Sequence, residues 1–290
     1  MTAKPASAAR AVETAPTQGR AKAGAKAGVK TKGAAERARA DDPLMVGSVE
    51  KAFRVLGVFG KGHAALSLSQ IADLAQMDMS AAQRFTHTLL KLGYLRKDAT
   101  TRRLELSPRT LDLAAHFLGG QTLINTAMPY LMHLSKETEE TVNLTLLDGV
   151  EIVFVSRFMS RHMLNADVVI GTRMPAFCTA PGRAILSRLP EDEAVAIIDA
   201  SERVAHTPYT TWRRDALIER LRRARRLGFE TQSQEFLLGD ASVAAAIVDA
   251  VGRPRGAVNV AASCARCTVE RIAERFAPLV AAAAHAISRA

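Results

Sequence analysis

Gln83, Arg84, His87 and Lys91 line one side of a short stretch whose opposite side carries Phe85, Leu89 and Leu92. Glutamine and arginine make paired hydrogen bonds to adenine and guanine edges in the major groove of duplex DNA, so this side has the chemistry of a base-reading surface. Ala81 lies on the same side, and Ser80 stands at capping-box spacing from Gln83, which predicts a helix start. A few residues on, LRKDATTRRLELS sets Arg96, Lys97, Arg102 and Arg103 around a turn at 98–101, the pattern of a basic hairpin. The helix alone fits an ordinary solvated face equally well. The neighbouring elements have to decide.

Little else in the chain has a catalytic pattern. There is no GxGxxG, GxxxxGK[ST], GxSxG or HExxH, so neither a nucleotide cofactor nor a hydrolase centre is expected. The seven His are scattered, and His162 near Asp167 is a pairing more typical of a surface or core contact. Cys264 and Cys267 form one C-x-x-C without the second pair that a structural zinc site needs. No metal, no cofactor and no enzymatic activity are therefore expected. Three cysteines are too few for a disulfide framework and fit a reducing compartment. No apolar run approaches the ~20 residues of a membrane span, and residue 1 does not open a secretory signal. A cytoplasmic protein without a membrane partner is the expectation.

The elements that would position the polar side follow from periodicity. Ser48 can cap a first helix carrying Val49, Ala52, Phe53, Leu56 and Phe59, with Gly60 and Gly62 ending it. Ser67 and Gln70 have capping-box spacing ahead of Leu68, Ile71, Ala72, Leu74 and Ala75. A polar turn at 76–79 then leads to the third helix, which Gly93 stops. Two short helices joined by a tight turn and followed by a basic hairpin match a winged helix-turn-helix. Ser107-Pro108 predicts another helix with Leu111, Leu113, Ala114, Phe117 and Leu118, broken at Gly119 and Gly120, as a connector able to pair two chains. A further helix at 123–138 contains Pro129, which marks either a kink or its true start.

Charge is distributed in step with these elements. Of the net +10, residues 1–43 contribute nine Lys/Arg against four Asp/Glu, and residues 44–110 contribute ten against five. Residues 111–290 carry twenty of each sign. Phosphate binding needs such a local excess, although ordinary solubilising charge would also produce one. Residues 1–43 contain no aromatic residue, Leu or Ile, and so are expected to be a tail without a fold. That tail can add phosphate contacts, serve as an inert leader, or act as a mitochondrial targeting peptide.

Beyond residue 138 the pattern changes. TVNLTLLDG and VEIVFVSRF are apolar runs joined by Asp148-Gly149, which predicts a hairpin. NADVVIGTRMPAF, FETQSQEF, SVAAAIVDA and RGAVNVAAS read as strands. Helices are expected at 179–189, in PEDEAVAIIDA, in WRRDALIERLRRARRLGF and at 268–288. The irregular mixture argues for α+β with a curved antiparallel sheet.

From about Val46 onward the chain resembles the IclR family of bacterial transcriptional regulators. The resemblance rests on GSVEKAFRVLGVF, LSQIADLAQMDMSAAQRFTHTLLKLGYLRKD, LLDGVEIVFVSR, GTRMPAFCTAPGRAILSRLP, QEFLLGD and SVAAAIVDAVGRPRGAVNVA, in that order. It implies a winged helix-turn-helix at 45–107, a linker helix at 108–122 and an effector-binding domain of GAF/PAS-like α+β fold at 123–290. It also implies a homodimer or homotetramer bound to palindromic double-stranded DNA, with a small organic acid as effector. Ser80, Ala81, Gln83, Arg84, His87, Lys91, Arg102 and Arg103 are then the DNA-facing residues.

The same resemblance places the effector between the sheet and the FCTAPG loop. That loop supplies Cys178, Thr179, Ala180, Pro181 and Gly182, whose backbone N–H groups can hold a carboxylate. The strands supply Gln232, Ser242, Asn259 and Ala261, with Met163 and Phe177 as apolar wall. Gln232 stands where the family often has an acidic residue, Ser242 where it often has Cys, and Asn259 where it often has Ser. Ser242 and Asn259 also fit a purely structural role in sheet hydrogen bonding. Two further readings remain at this point: a nonspecific DNA-compacting protein dominated by its tail, and an enzyme working in the C-terminal pocket.

Overall fold

The computed structural model describes residues 42–60, 62–161 and 168–290. The tail expected at 1–43, apart from its last two residues, lies outside the described residues, as does Met163. No described helix is long and apolar enough to cross a membrane.

Three helices open the described chain: α1 (Gly47–Gly57), α2 (Leu68–Leu74) and α3 (Met79–Lys91). In α1 the buried residue is Val55, whereas Val49 and Phe53, which head the apolar series in the sequence, are exposed. The helix also ends earlier than its glycines imply. At α2 the capping box forms: Ser67 Oγ accepts from the Gln70 amide at 3.2 Å, and Gln70 Oε1 accepts from the Ser67 amide at 2.9 Å. Helix α3 starts differently. Its N-cap is Asp78, whose Oδ1 accepts from the Ala81 amide at 2.8 Å, so the start expected at Ser80 falls inside the first turn. An ionised Asp also faces the positive end of the helix dipole, an advantage Ser lacks. Leu92 follows the helix as its exposed C-cap, and the buried side is Ala82, Thr86 and Leu89.

Strands β1 (Leu95–Lys97) and β2 (Leu104–Leu106) form the hairpin. Its turn is built around Asp98 Oδ1, which accepts from the Thr100 and Thr101 amides and the Thr101 hydroxyl. These bonds, chiefly those from Thr101, hold the Asp98 carboxyl below its usual range. Leu66 exchanges both backbone hydrogen bonds with Leu104, tying the segment before α2 to the hairpin. Val55, Leu66, Ile71, Ala75, Leu89, Leu95 and Leu104 make one apolar cluster beneath.

Helix α4 (Thr110–Gly120) continues through both glycines and ends at Gln121. It buries no residue of its own. Helix α5 (Thr122–Thr138) carries Pro129 within it, so the proline does not mark a start. A six-stranded antiparallel sheet follows, in the order β5 (Arg173–Pro175), β4 (Glu151–Phe158), β3 (Thr141–Asp148), β8 (Pro254–Ser263), β7 (Asp240–Val248), β6 (Glu230–Ser233). The strand expected over NADVVIGTRMPAF is confined, among the described residues, to β5. One sheet face packs on α5 and α9 (Val269–Arg289) through Leu131, Val142, Val243, Val258, Phe276 and Val280. The other meets α6 (Ala180–Leu186), α7 (Glu191–Ala200) and α8 (Arg214–Leu227) through Ile152, Phe154, Ala184, Ile198 and Leu217. Gly256 permits the close approach of β3 and β8, since a Cβ there would lie 2.7 Å from the Thr145 carbonyl.

The cap assignment has a direct test. Replacing Asp78 with Ala should destabilise the N-terminal domain by about 1 kcal/mol in denaturant titration, while Ser80→Ala should cost a few tenths at most. The reverse order would restore Ser80 as the cap.

Candidate functional site

In α3 the sides of the helix are cleanly separated. Gln83, Arg84, His87 and Lys91 are exposed opposite Ala82, Thr86 and Leu89, with Ser80 exposed and Ala81 half-buried at the N-terminal end. Thr86, the one polar residue on the buried side, spends its hydroxyl on the Ala82 carbonyl at 2.7 Å. In the hairpin, Arg102 is exposed in the left-handed backbone region at φ 61°. Arg103, also exposed, donates through Nη1 to the Ala65 carbonyl at 3.1 Å, which ties it to the segment before α2. Arg96 pairs with Glu105 across the strands at 2.8 Å, so it adds less to the outward charge than Lys97 and Arg102.

A second site lies on the face of the sheet toward α6. There, a recess is walled by Ile152, Phe154, Val168, Met174, Phe236 and Leu237 on its apolar side. Thr179, Pro181, Gln232, Ser242, Asn259 and Ala261, expected from the resemblance, line it. Phe177, Cys178, Ala180 and Gly182 do not: they are buried behind the wall. Burial pushes the Cys178 thiol up to about 12, leaving it a small apolar filler. Gly182 is required by packing, because a Cβ there would sit 2.2 Å from the Ala176 carbonyl. Nor is the Gly182 amide open to a ligand, since it donates to Thr179 Oγ1 at 3.3 Å.

Sequence reasoning missed Asn143, Arg157 and Asp240, of which Arg157 and Asp240 are the ionisable groups of the recess. Strict alternation along β4 would put Arg157 on the face opposite Ile152 and Phe154. A β-bulge corrects this: Thr145 pairs with Phe154 but Leu144 with Ser156, so Val155 is skipped and Arg157 returns to the recess side. Arg157, Asn143 and Asn259 then fall in one row across β4, β3 and β8. Arg157 Nη1 donates to Asn143 Oδ1 at 3.0 Å. Half-burial lowers the Arg157 pKa, with Asp240 opposing the shift.

Gln232 fastens the far end. Its Nε2 donates to Asp240 Oδ2 at 2.7 Å and Ser242 Oγ at 3.3 Å, while its Oε1 accepts from the Glu235 amide at 3.1 Å. Every hydrogen-bonding group of that amide is engaged within the wall, which makes Gln232 a support for Asp240. Behind it, Arg183 is fully buried and holds Glu235 bidentately at 2.8 and 3.0 Å and Glu230 at 3.1 Å. Arg220 completes the cluster on Glu230 at 2.6 Å. Burial disfavours the Arg183 charge, but Glu230 and Glu235 outweigh it and raise the pKa. The basic run of α8 is thus partly structural: Arg220 and Arg222 are committed to Glu230 and Glu191.

Cys264 and Cys267 are free thiols packed at the edge of the α5/α9 core. No group of three or more potential ligands is gathered for a metal among the described residues.

A winged helix-turn-helix with a polar, exposed helix face, joined to an α+β domain that carries a recess of mixed polar and apolar lining, defines a DNA-binding regulator with a sensing domain. The chain belongs to the IclR family: residues 48–99 match the IclR helix-turn-helix domain and residues 115–289 the bacterial transcriptional regulator IclR C-terminal domain. It is similar to the Pca regulon regulatory protein of Pseudomonas putida, at 29% identity over 243 residues covering 83% of each chain. Among solved structures, it is similar to a proposed transcriptional regulator from Rhodococcus sp. RHA1, with TM-score 0.74, 32% identity and coverage of 84% of this chain and 98% of that one. The Thermotoga maritima IclR is similar at TM-score 0.68, 25% identity and the same coverages. The homologues are regulators and not enzymes, which removes the enzyme reading.

Asp240 supplies a pH test. Burial pushes its carboxyl up to about 6, against the opposing Gln232 hydrogen bond and Arg157 charge. The folded domain therefore favours the protonated group more than the unfolded chain does, and this stabilisation, full below the unfolded value, is lost as pH rises through about 6. Asp240→Asn should flatten the fall in Tm between about pH 4 and about pH 7. An unchanged pH slope would contradict the assignment.

Proposed function

We propose that the chain is a ligand-responsive transcriptional regulator that binds a palindromic operator as a homodimer or homotetramer, its occupancy set by a small organic acid in the recess. The observation that carries this reading is the pairing of two features: the exposed Gln83, Arg84, His87 and Lys91 side of α3, and a recess holding the half-buried cation Arg157. The first suits base edges, with Ser80, Ala81, Arg102 and Arg103 set for phosphate and groove contact. The second suits a carboxylate. An acid that contacts one arrangement of the sensing domains better than another would change the spacing of two reading helices relative to half-sites about one helical turn apart.

Oligomer formation is assigned to α4. Leu113 and Phe117, four residues apart and so on one side, are 53 and 47% exposed on a helix that buries none of its own residues. A second copy of this helix is the occupant we assign to that face, because a palindromic site needs two reading helices held at fixed spacing.

Gel-shift titration against the DNA upstream of its own gene, with and without a panel of organic acids, tests the whole reading; binding indifferent to both sequence and acid would favour nonspecific compaction. Arg84→Ala should weaken specific binding by about 1–3 kcal/mol and relax preference at one base pair. An unchanged preference would remove Arg84 from the reading set. Phe117→Glu should shift the chain toward monomer in sedimentation velocity and weaken operator binding with it; an unaltered oligomer would place the interface elsewhere.

A further inference from the structure

The recess is specific about more than a carboxylate. Among the described residues, two buried acceptors on its wall receive no hydrogen bond: Asp240 Oδ1 and Asn259 Oδ1. Asn259 is 4% exposed, and its row on the sheet is the row of Arg157 and Asn143. Asp240 cannot turn away to find a donor, because Gln232 Nε2 holds its other oxygen at 2.7 Å and Gln232 is itself fully engaged. Thr179 Oγ1 donates to the Pro175 carbonyl at 3.1 Å, and Ser242 Oγ, which accepts from the Gln232 amide, bonds neither of the two acceptors. Buried acceptors left without donors keep the cost of their lost hydration uncompensated. A parent acid whose body is wholly apolar would close the recess over them.

We propose that the effector is a hydroxy acid, its carboxylate set toward the Arg157 guanidinium and a hydroxyl donated to Asp240 Oδ1, with Asn259 Oδ1 as the acceptor for a second donor or for a bound water. The inference rests on the reading of the recess as an organic-acid site. A hydroxyl fits better than an ammonium for a chemical reason. It both donates and accepts, and so satisfies Oδ1 whether the Asp240 carboxyl is ionised or protonated, a choice that lies close to neutrality here. An ammonium can only donate, and it would bring a second cation into a recess that already holds Arg157. Ile152, Phe154 and Met174 give the recess an apolar wall, which suits an aliphatic or aromatic body on the same acid.

The test is calorimetric titration of the full chain with matched acids: benzoate, 3-phenylpropanoate and butanoate, each compared with its hydroxyl and O-methyl derivatives, and butanoate also with its amino derivatives, which are ammonium ions at neutral pH. A hydroxyl derivative should bind about tenfold tighter or more than both its parent and its O-methyl ether, which keeps the oxygen but cannot donate. In Asp240→Asn, whose amide can turn an N–H outward, that ratio should fall toward one. Asn259→Leu, a second variant of similar volume, reports the other acceptor, with thermal melts confirming that both variants fold. Parent or O-methyl acids binding as tightly as the hydroxyl derivatives would overturn the inference while leaving the organic-acid reading intact. A preference for the amino derivatives would replace hydroxyl by ammonium and also overturn it. If no acid of any kind binds, the organic-acid reading itself fails.

Discussion

The sensing domain depends on one buried ionic cluster. Arg183 on α6 binds Glu235 bidentately and Glu230 on β6, and also donates to the Phe177 and Thr231 carbonyls at 3.2 and 3.1 Å. Glu235 in turn accepts from the Thr211 amide at 3.0 Å. A single guanidinium thereby joins α6, the turn before it, an edge strand and the loop leading to α8. Replacing such a cluster by apolar groups is often neutral for stability, but deleting one partner strands a buried charge at a cost of about 3–5 kcal/mol. The cluster therefore fixes one arrangement of the recess wall, and Gln232 and Thr179 inherit their positions from it.

On that frame the two faces of the sheet do different work. Toward α5 and α9, Val142, Leu144, Val243, Val258 and Val260 give a continuous apolar core. Toward α6, the same strands alternate into Asn143, Ser242 and Asn259, and the bulge in β4 adds Arg157. The apolar face offsets the cost of the polar one. Among the described residues, Asp240 Oδ1 and Asn259 Oδ1 are the buried side-chain acceptors left without a hydrogen bond, and both line the recess.

Much of this was legible in the residues themselves. The Ser67/Gln70 capping box, the Asp148-Gly149 hairpin and the exposed side of α3 follow from local rules that the structure does not override. The family resemblance, and not periodicity, pointed to Gln232, Ser242 and Asn259, and the three line one recess. What failed, failed for tertiary reasons. Asp78 and Ser80 both offer caps, and only the backbone of the preceding turn selects between them. Gly119 and Gly120 stay helical because nothing after them forces a break before Gln121. Cys178 and Gly182 sit in a recognisable loop, yet its outward residues are Thr179 and Pro181, which a string of small residues does not reveal. Arg157 was hidden by the bulge, since one skipped residue reverses every later side chain on the strand.

The central claim is that the recess and the reading helix share one equilibrium, so that an acid and an operator compete or cooperate through the whole chain. Linkage requires the effect to be reciprocal: the factor by which bound acid changes operator affinity must equal the factor by which operator changes acid affinity. Measuring both factors on the full chain, at one salt concentration, tests this most directly. The account predicts two equal factors that differ clearly from one; an acid that fills the recess while both factors stay at one would contradict it.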